Sequence, residues 1–425
     1  MKRLVLTKAA TGLLLFGALM TAAPGDNPPV LNRDVFAAID HGGRNNDGKV
    51  QVDKAGFVYV SYAFENAANQ GRWDIGLARF SPAGKRVWQK TIPANFVEFV
   101  PQTTLRLDND GNLLLGGAVS SGRRSSTLFL KKYTRGGKPV WSTSFGRRDQ
   151  LNYVSNFAVA ANDDIVLAAQ YFAGESTYPV TLHRFNSDGK LLMTRRTTEG
   201  WVTAMALDGD HIYVVGGASV GGNPNLWNAW LARYDSKGKR VGYRKLRGER
   251  WSFFWSVAVG PDRTVYVAGS MEDKEGRRYA IVRTFDRACR MSDYFENHGV
   301  QHAKIVGLDR KHLYITVAPV AGKEDEYADY VLNRLPLGHP LMQKAVSIPK
   351  RMKGARRSRW IRAAARHAGG WIVLIYEDVD QNADRFRLVL VRLRSLADPA
   401  DPGVIPAVRG KGRMSAAGDT AQEAQ

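Results

Sequence analysis

Few residues in this chain have types and spacing suited to chemistry. In "DVDQNAD", Asp378, Asp380, Asn382 and Asp384 place oxygen ligands at every second position, as the first ligands of a calcium loop require. Ala383 stands where the sharp turn wants glycine, and Val389 stands where a bidentate glutamate belongs. The stretch therefore reads as a calcium loop or as a solvated acidic loop. Apart from that calcium, no cofactor is expected. His298 and His302, in "NHGVQHAKI", have zinc-ligand spacing without a third ligand nearby, and a plain loop entering a strand is the competing reading.

The densest charge run is "KRMKGARRSRWIRAAARH". Its Lys350, Arg351, Lys353, Arg356, Arg357, Arg359, Arg362 and Arg366 have no acid among them, which is the composition of an anion-binding loop. The alternative is mutual neutralisation, because "GKEDEYADY" and "YEDVDQNAD" are expected to emerge on the same face. Trp73, Trp201, Trp227 and Trp251 are the candidate surface aromatics, with Phe96, Phe99, Tyr153, Phe253, Phe254 and Trp255 on the same side. Such rings stack on sugars or anchor a partner, and they also seal the tops of neighbouring structural units. There is no HExxH and no phosphate-cradling glycine loop. Carboxylates for glycoside hydrolysis leave no local signature when they converge from distant segments.

What must position these residues is a repeat. "LDNDGNLLLGG" has counterparts in "VDKAGFVYVSYA", "ANDDIVLAAQ", "LDGDHIYVVGG", "GPDRTVYVAGS", "LDRKHLYITVA" and "AGGWIVLIYE". Each is followed by an apolar run carrying a basic residue at one fixed place: Arg79, Lys132, Arg184, Arg233, Arg283, Arg334 and Arg392, recurring about every fifty residues. A second glycine turn follows, as in "SPAGKRVWQ" and "TRGGKPVWS". Each unit thus reads as four short strands. The basic residues either ring an axial ligand or pair within the unit with the aspartates Asp53, Asp108, Asp208 and Asp309. The acids in "LDNDGN" stand too close together for a calcium loop and cap a tight hairpin instead.

Four-stranded units of this length bury their faces only against one another, which predicts an all-β chain forming a single seven-bladed β-propeller over residues 34–396. The seventh unit stops after its third strand, and "DVFAAI", Asp34 to Ile39, has no unit of its own. It is expected to supply the missing strand and close the ring. Residues 24–33 read as a linker and 397–425 as a disordered tail.

The pattern "LDNDGNLLLGG…LFLKKYTRGGKPVWSTSFG" resembles the secreted bacterial β-propeller repeats found in arrays. Kelch repeats are similar through the doublets Gly116-Gly117 and Gly216-Gly217, and quinoprotein-type repeats share the "GKxxW" ending at Gly84 to Trp88. These resemblances imply a propeller scaffold and no particular reaction.

Residues 1–23 have Lys2, Arg3 and Lys8 ahead of "AATGLLLFGALM" and a small-residue segment, the layout of a secretory signal peptide. Pro24 directly after the expected cut leaves an uncleaved anchor open. No lipoprotein cysteine follows, and nothing later is apolar for long enough to span a membrane. A periplasmic or secreted destination is expected. Cys289 is the only cysteine, so no internal disulfide forms and folding rests on core burial. The formal charge of +21 falls to +18 when Lys2, Arg3 and Lys8 are removed.

Such a balance in an exported protein points to acidic polysaccharide, lipopolysaccharide or another envelope component, and away from nucleic acid. The leading expectation is a binding or scaffold protein that recognises an anionic polymer or a partner protein through its long-loop face. The competing one is a polysaccharide hydrolase or lyase acting at the central channel.

Overall fold

The computed structural model describes residues 33–39, 45–66, 72–96, 102–122, 125–146, 151–171, 179–221, 223–246, 250–298, 300–319, 331–337, 344–347, 358–366, 371–380 and 385–394. The chain divides into Met1–Val30 and Leu31–Gln425, and every described residue belongs to the second unit. Among the described residues there is no α-helix, hence no helix long and apolar enough to cross a membrane.

The strands form seven four-stranded antiparallel sheets. Strand β1 (Arg33–Ile39), the first among the described residues, joins the last sheet. The first sheet holds β2 (Asn45–Val52), β3 (Val58–Asn66), β4 (Arg72–Phe80) and β5 (Arg86–Phe96). The second holds β6 (Thr103–Leu107), β7 (Leu113–Gly122), β8 (Ser125–Tyr133) and β9 (Pro139–Phe145). The third holds β10 (Asn152–Val159), β11 (Ile165–Tyr171), β12 (Pro179–Phe185) and β13 (Leu191–Glu199). The fourth holds β14 (Trp201–Asp208), β15 (His211–Val220), β16 (Asn223–Tyr234) and β17 (Arg240–Leu246). The fifth holds β18 (Ser252–Val259), β19 (Val265–Glu272), β20 (Arg278–Phe285) and β21 (Met291–Asn297). The sixth holds β22 (Val300–Leu308), β23 (His312–Pro319), β24 (Val331–Pro336) and β25 (Lys344–Ser347). The last runs β1, β28 (Arg385–Arg394), β27 (Trp371–Asp380), β26 (Ser358–Arg366).

The strands follow from local chemistry. Asp53 Oδ1 accepts from the amides of Ala55 and Phe57 at 3.0 and 2.9 Å, closing the β2–β3 hairpin, while Gly56 takes φ 84°. Asp108 does the same from Asn112 at 2.6 Å, with Gly111 at φ 77°. A left-handed residue is what these tight turns need, and glycine adopts it without steric cost. The hairpins between third and fourth strands repeat the device, Asn186 and Asp235 accepting from Lys190 and Lys239 at 2.8 Å each.

Between turns, β3 is buried at its first seven positions, and β19 likewise. Such unbroken burial arises because both faces of a sheet are covered by neighbouring sheets. The core therefore lies between sheets: Ile75 and Leu77 of the first cluster with Leu105 and Leu115 of the second and Phe157 of the third. Each fully buried aliphatic or Phe side chain contributes roughly 1.5–3 kcal/mol. Fourth strands such as β9 are mostly exposed or half-buried, so they lie outermost.

First strands lie innermost. β2 touches β6, β6 touches β10, and the series continues through β14, β18, β22 and β26, which in turn touches β2. β1 pairs antiparallel with β28 from Arg33 opposite Leu393 to Ile39 opposite Leu388.

Candidate functional site

At the end where the first strands begin, the fifth sheet carries a cluster of rings. Phe253 and Trp255 stack at 4.5 Å between centroids and 25° between planes, and Trp251 stacks on Phe253 at 5.6 Å and 20°. Trp227, from the start of β16, adds a tilted contact to Phe253 at 5.7 Å. The cause is local. The β18–β19 register shifts between Phe254 and Ser256, so Trp255 is the extra residue of a bulge, which re-aims its side chain. Its Nε1 donates to Ser270 Oγ at 3.0 Å.

Phe253 lies flat on the fourth sheet. A Cβ on Gly217 would stand 2.4 Å from its ring, so only glycine fits beneath it. Phe253 is itself buried, whereas Trp227, Trp251 and Trp255 remain partly exposed. The guanidinium of Arg278 sits 4.7 Å over Trp251. Glu272 holds Arg278 and Arg250 at 3.5 and 3.9 Å, and its backbone amide donates to Trp251 O at 2.7 Å. Half-exposed indoles rimmed by two arginines and one carboxylate present a flat apolar surface beside fixed positive charge.

The innermost strands add a polar lining. Arg106 donates to Asn156 Oδ1 at 2.8 Å, from β6 to β10. Asn156 Nδ2 donates to Thr203 O at 3.3 Å, and Thr203 Oγ1 to Phe254 O at 2.6 Å. Ile305 N donates to Ser256 Oγ at 2.7 Å. Each bond steps from one sheet to the next. By register, Ala158, Ala206, Ala258, Gly307 and Ala365 share one equivalent place. Gln51 and Arg106 occupy it in the first two sheets.

Trp201 and Tyr153 pack together at 6.1 Å on the third and fourth sheets, and Trp227 and Trp251 belong to the ring cluster. Trp73, in β4, packs partly buried against the core, and Phe254 is fully buried rather than on the long-loop face. Lys350, Arg351, Lys353, Arg356 and Arg357 lie outside the described residues, as do the side chains of Arg359 and Arg362 in β26. Asp378 and Asp380 fall in β27 opposite Arg387 and Arg385, while Asn382 and Asp384 lie outside the described residues. His298 stacks on Tyr279 at 4.2 Å. Among the described residues, no three His, Cys, Asp or Glu groups gather as a metal site.

Of the repeated basic residues, Lys132 and Arg184 pair with an aspartate of their own sheet, whereas Asp208 meets Arg287 of the fifth sheet at 2.9 Å rather than Arg233. Lys132 meets Asp108 at 2.9 Å and Arg184 meets Asp164 at 2.7 Å, while Arg79 stacks 3.7 Å over Phe57. They lie on third strands, away from the innermost ones, so they do not ring an axis. Arg283 is a correction. Arg79, Lys132, Arg184 and Arg233 oppose Tyr59, Leu114, Val166 and Tyr213, but the equivalent Tyr266 opposes Thr284. Arg283 sits one place earlier on the other face, paired with Glu296 beneath the Tyr294 ring. Counting back from Phe80, Tyr133, Phe185, Tyr234 and Phe285 would have found this. The Arg106–Asn156 pair carries no sequence signal because it joins two repeats, and Arg278, which meets Glu272 across its own hairpin, reaches Trp251 only through the fold.

No protein-family model matches the sequence, and no curated protein matches it. Among solved structures, the chain is similar to polysaccharide lyase Uly1, with TM-score 0.56 and 11% identity over 82% of this chain and 90% of that one. A neuraminidase-like protein from A/bat/Guatemala aligns with TM-score 0.46 and 12% identity, over 84% of this chain and 90% of that chain. Drosophila Plexin A in complex with Semaphorin 1b aligns with TM-score 0.45 and 10% identity, over 84% and 87%. At such identities the likeness to the lyase concerns fold alone, and that fold is a β-propeller.

Proposed function

We propose that this chain is an exported seven-bladed β-propeller that binds an acidic polysaccharide on the face formed by Trp227, Trp251, Trp255 and Arg278. The blade count rests on the seven sheets, on contacts between innermost strands that return from β26 to β2, and on the pairing of β1 with β28. Export rests on the leader-like residues 1–23.

The observation that carries the binding reading is the Arg278 guanidinium fixed over a half-exposed Trp251, with Phe253 and Trp255 continuing the stack. Sugar rings offer apolar C–H faces to indoles, and a uronate or sulfate offers a bidentate acceptor to arginine. A net formal charge of +21 favours the approach of such a polymer.

The test is a titration of the purified protein with a polyuronate, a sulfated polysaccharide and a neutral glucan at physiological salt, followed by tryptophan fluorescence. Saturable quenching by the charged polymers alone is expected. Silence with all three, or an equal response to the neutral glucan, overturns the reading. Shortening of the polymer during incubation would transfer the site to the hydrolase or lyase class.

A further inference from the structure

Arg106 is the one charged side chain at a place that five of the seven innermost strands give to Ala or Gly. It is partly buried, and its guanidinium donates to two neutral oxygens, Leu105 O and Asn156 Oδ1, both at 2.8 Å. Among the described residues it has no carboxylate partner. A cation enclosed against neutral acceptors loses hydration that no opposite charge offsets, and burial alone draws Arg106 down to about 10.

The orientation is nonetheless fixed. Asn156 accepts from Arg106 through Oδ1 and donates to Thr203 O through Nδ2, so the carboxamide is held from both sides and cannot turn its amine toward the guanidinium. On the two strands beside β6 the equivalent place holds Ala158 of β10 and the neutral Gln51 of β2, so no carboxylate stands there. In the next row along the strands, the one that includes Asn156, the neighbouring β2 carries Lys49. Preset donors and an absent counter-charge are what an oxyanion needs.

We infer that Arg106, oriented by Asn156, anchors an oxyanion site on the innermost strands, taking a carboxylate, sulfate or phosphate group. The site is separate from the aromatic face, and it requires neither that face nor the polysaccharide. Its ligand is a small free anion or an anionic group on a larger molecule, and the two sources share this chemistry.

Thermal unfolding of the full chain in sodium phosphate, sodium sulfate and sodium citrate, each against sodium chloride of matched ionic strength, tests the site. Saturable rises in midpoint of about 1–3 degrees over chloride are expected for at least one oxyanion. Arg106→Met should abolish the rise and Arg106→Lys should keep part of it. A wild-type midpoint that follows ionic strength alone overturns the proposal without any variant, as does an equal rise in Arg106→Met. Trp251→Ala should keep the full oxyanion response while losing polymer quenching; loss of the oxyanion response there also overturns a separate site. A polyuronate that raises the midpoint in Trp251→Ala but not in Arg106→Met identifies the larger molecule as the source, and a response to free anions only identifies the smaller.

Discussion

A Cβ added to Gly242 would lie 3.0 Å from the sulfur of Cys289, across the seam between the fourth and fifth sheets. In earlier seams the sizes are reversed. A Cβ on Gly137 would lie 3.0 Å from Trp88, one on Gly189 2.7 Å from Trp141, and one on Gly238 3.2 Å from Met193. Trp88, Trp141, Met193 and Gly242 oppose Arg79, Lys132, Arg184 and Arg233, and so hold one equivalent place. Gly137, Gly189, Gly238 and Cys289 all hold the left-handed corner of the next hairpin, Cys289 at φ 61°. A large side chain over glycine has become glycine over cysteine.

The clasp across the seam changes with it. Trp88 and Trp141 donate to Arg135 O and Ser187 O of the next sheet at 3.1 and 3.0 Å. Where the tryptophan is missing, Arg184 and Arg233 reach Ser236 O and Arg287 O at 3.2 and 2.6 Å instead. Gly242→Trp alone should therefore destabilise by about 1–3 kcal/mol through overpacking. Adding Cys289→Gly should recover most of that, giving a coupling of about 1–2 kcal/mol in a double-mutant cycle by urea denaturation. Strictly additive effects would show that the two residues do not share a site.

Binding of acidic polymer should depend on Arg278 and Trp251 in different ways. Arg278→Ala removes a charge-assisted contact at the rim and should weaken affinity about tenfold, about 1.4 kcal/mol, while flattening its salt dependence. Trp251→Ala removes stacking area as well as the ring under the guanidinium, and should cost about 1–3 kcal/mol with the salt slope largely kept. Calorimetric titrations at two salt concentrations separate the two patterns. Identical salt slopes in wild type and Arg278→Ala would remove the arginine from the contact.

How much of this was legible depends on the reach of each interaction. Asp53, Asp108 and Asp309 act on amides within four residues, so the hairpins and the four-stranded units could be read directly. Gly217 beneath Phe253 shows as a glycine doublet in the sequence, but its partner is supplied by the next repeat. Arg106 and Asn156 stand fifty positions apart and meet only because successive innermost strands are neighbours. The displaced Arg283 arose from matching charge where the sheet matches the following aromatic: buried Phe285 holds the register, and the likewise buried Arg283 falls on the opposite face beside Glu296.

Acid should destabilise the protein earlier than carboxylate titration alone would. His183 is buried, its Nδ1 at 3.0 Å from Thr194 Oγ1 and its ring against Phe145, and burial lowers it from 6.5 to about 4. His302 is lowered to about 4 as well, by burial first and then by Lys304 and Arg278. Both stay neutral when folded but take up a proton when unfolded, so the unfolded chain binds more protons between those values. Stability is then fully present above pH 6.5 and is lost progressively as pH falls towards about 4, on the order of 3 kcal/mol for His183. Melting midpoints across that window should fall steeply in wild type and less steeply in His183→Gln. Parallel curves would assign the acid sensitivity elsewhere.

The strand that comes first in the sequence should matter most to the last sheet. β1 pairs with β28 along its length, and Ile39 packs at 4% exposure in a core with Leu388 and Leu390. Deleting residues 33–39 removes that side chain, worth roughly 2 kcal/mol, and bares the outer amides and carbonyls of β28 as an unpaired edge. The truncated protein should melt several degrees lower and associate with rising concentration, as exposed edges recruit one another. A synthetic peptide of sequence RDVFAAI should restore the midpoint by adding back as a strand, because main-chain pairing carries most of the affinity in such exchanges. An unchanged midpoint in the truncation, or a scrambled peptide that restores it equally well, would detach β1 from closure of the fold.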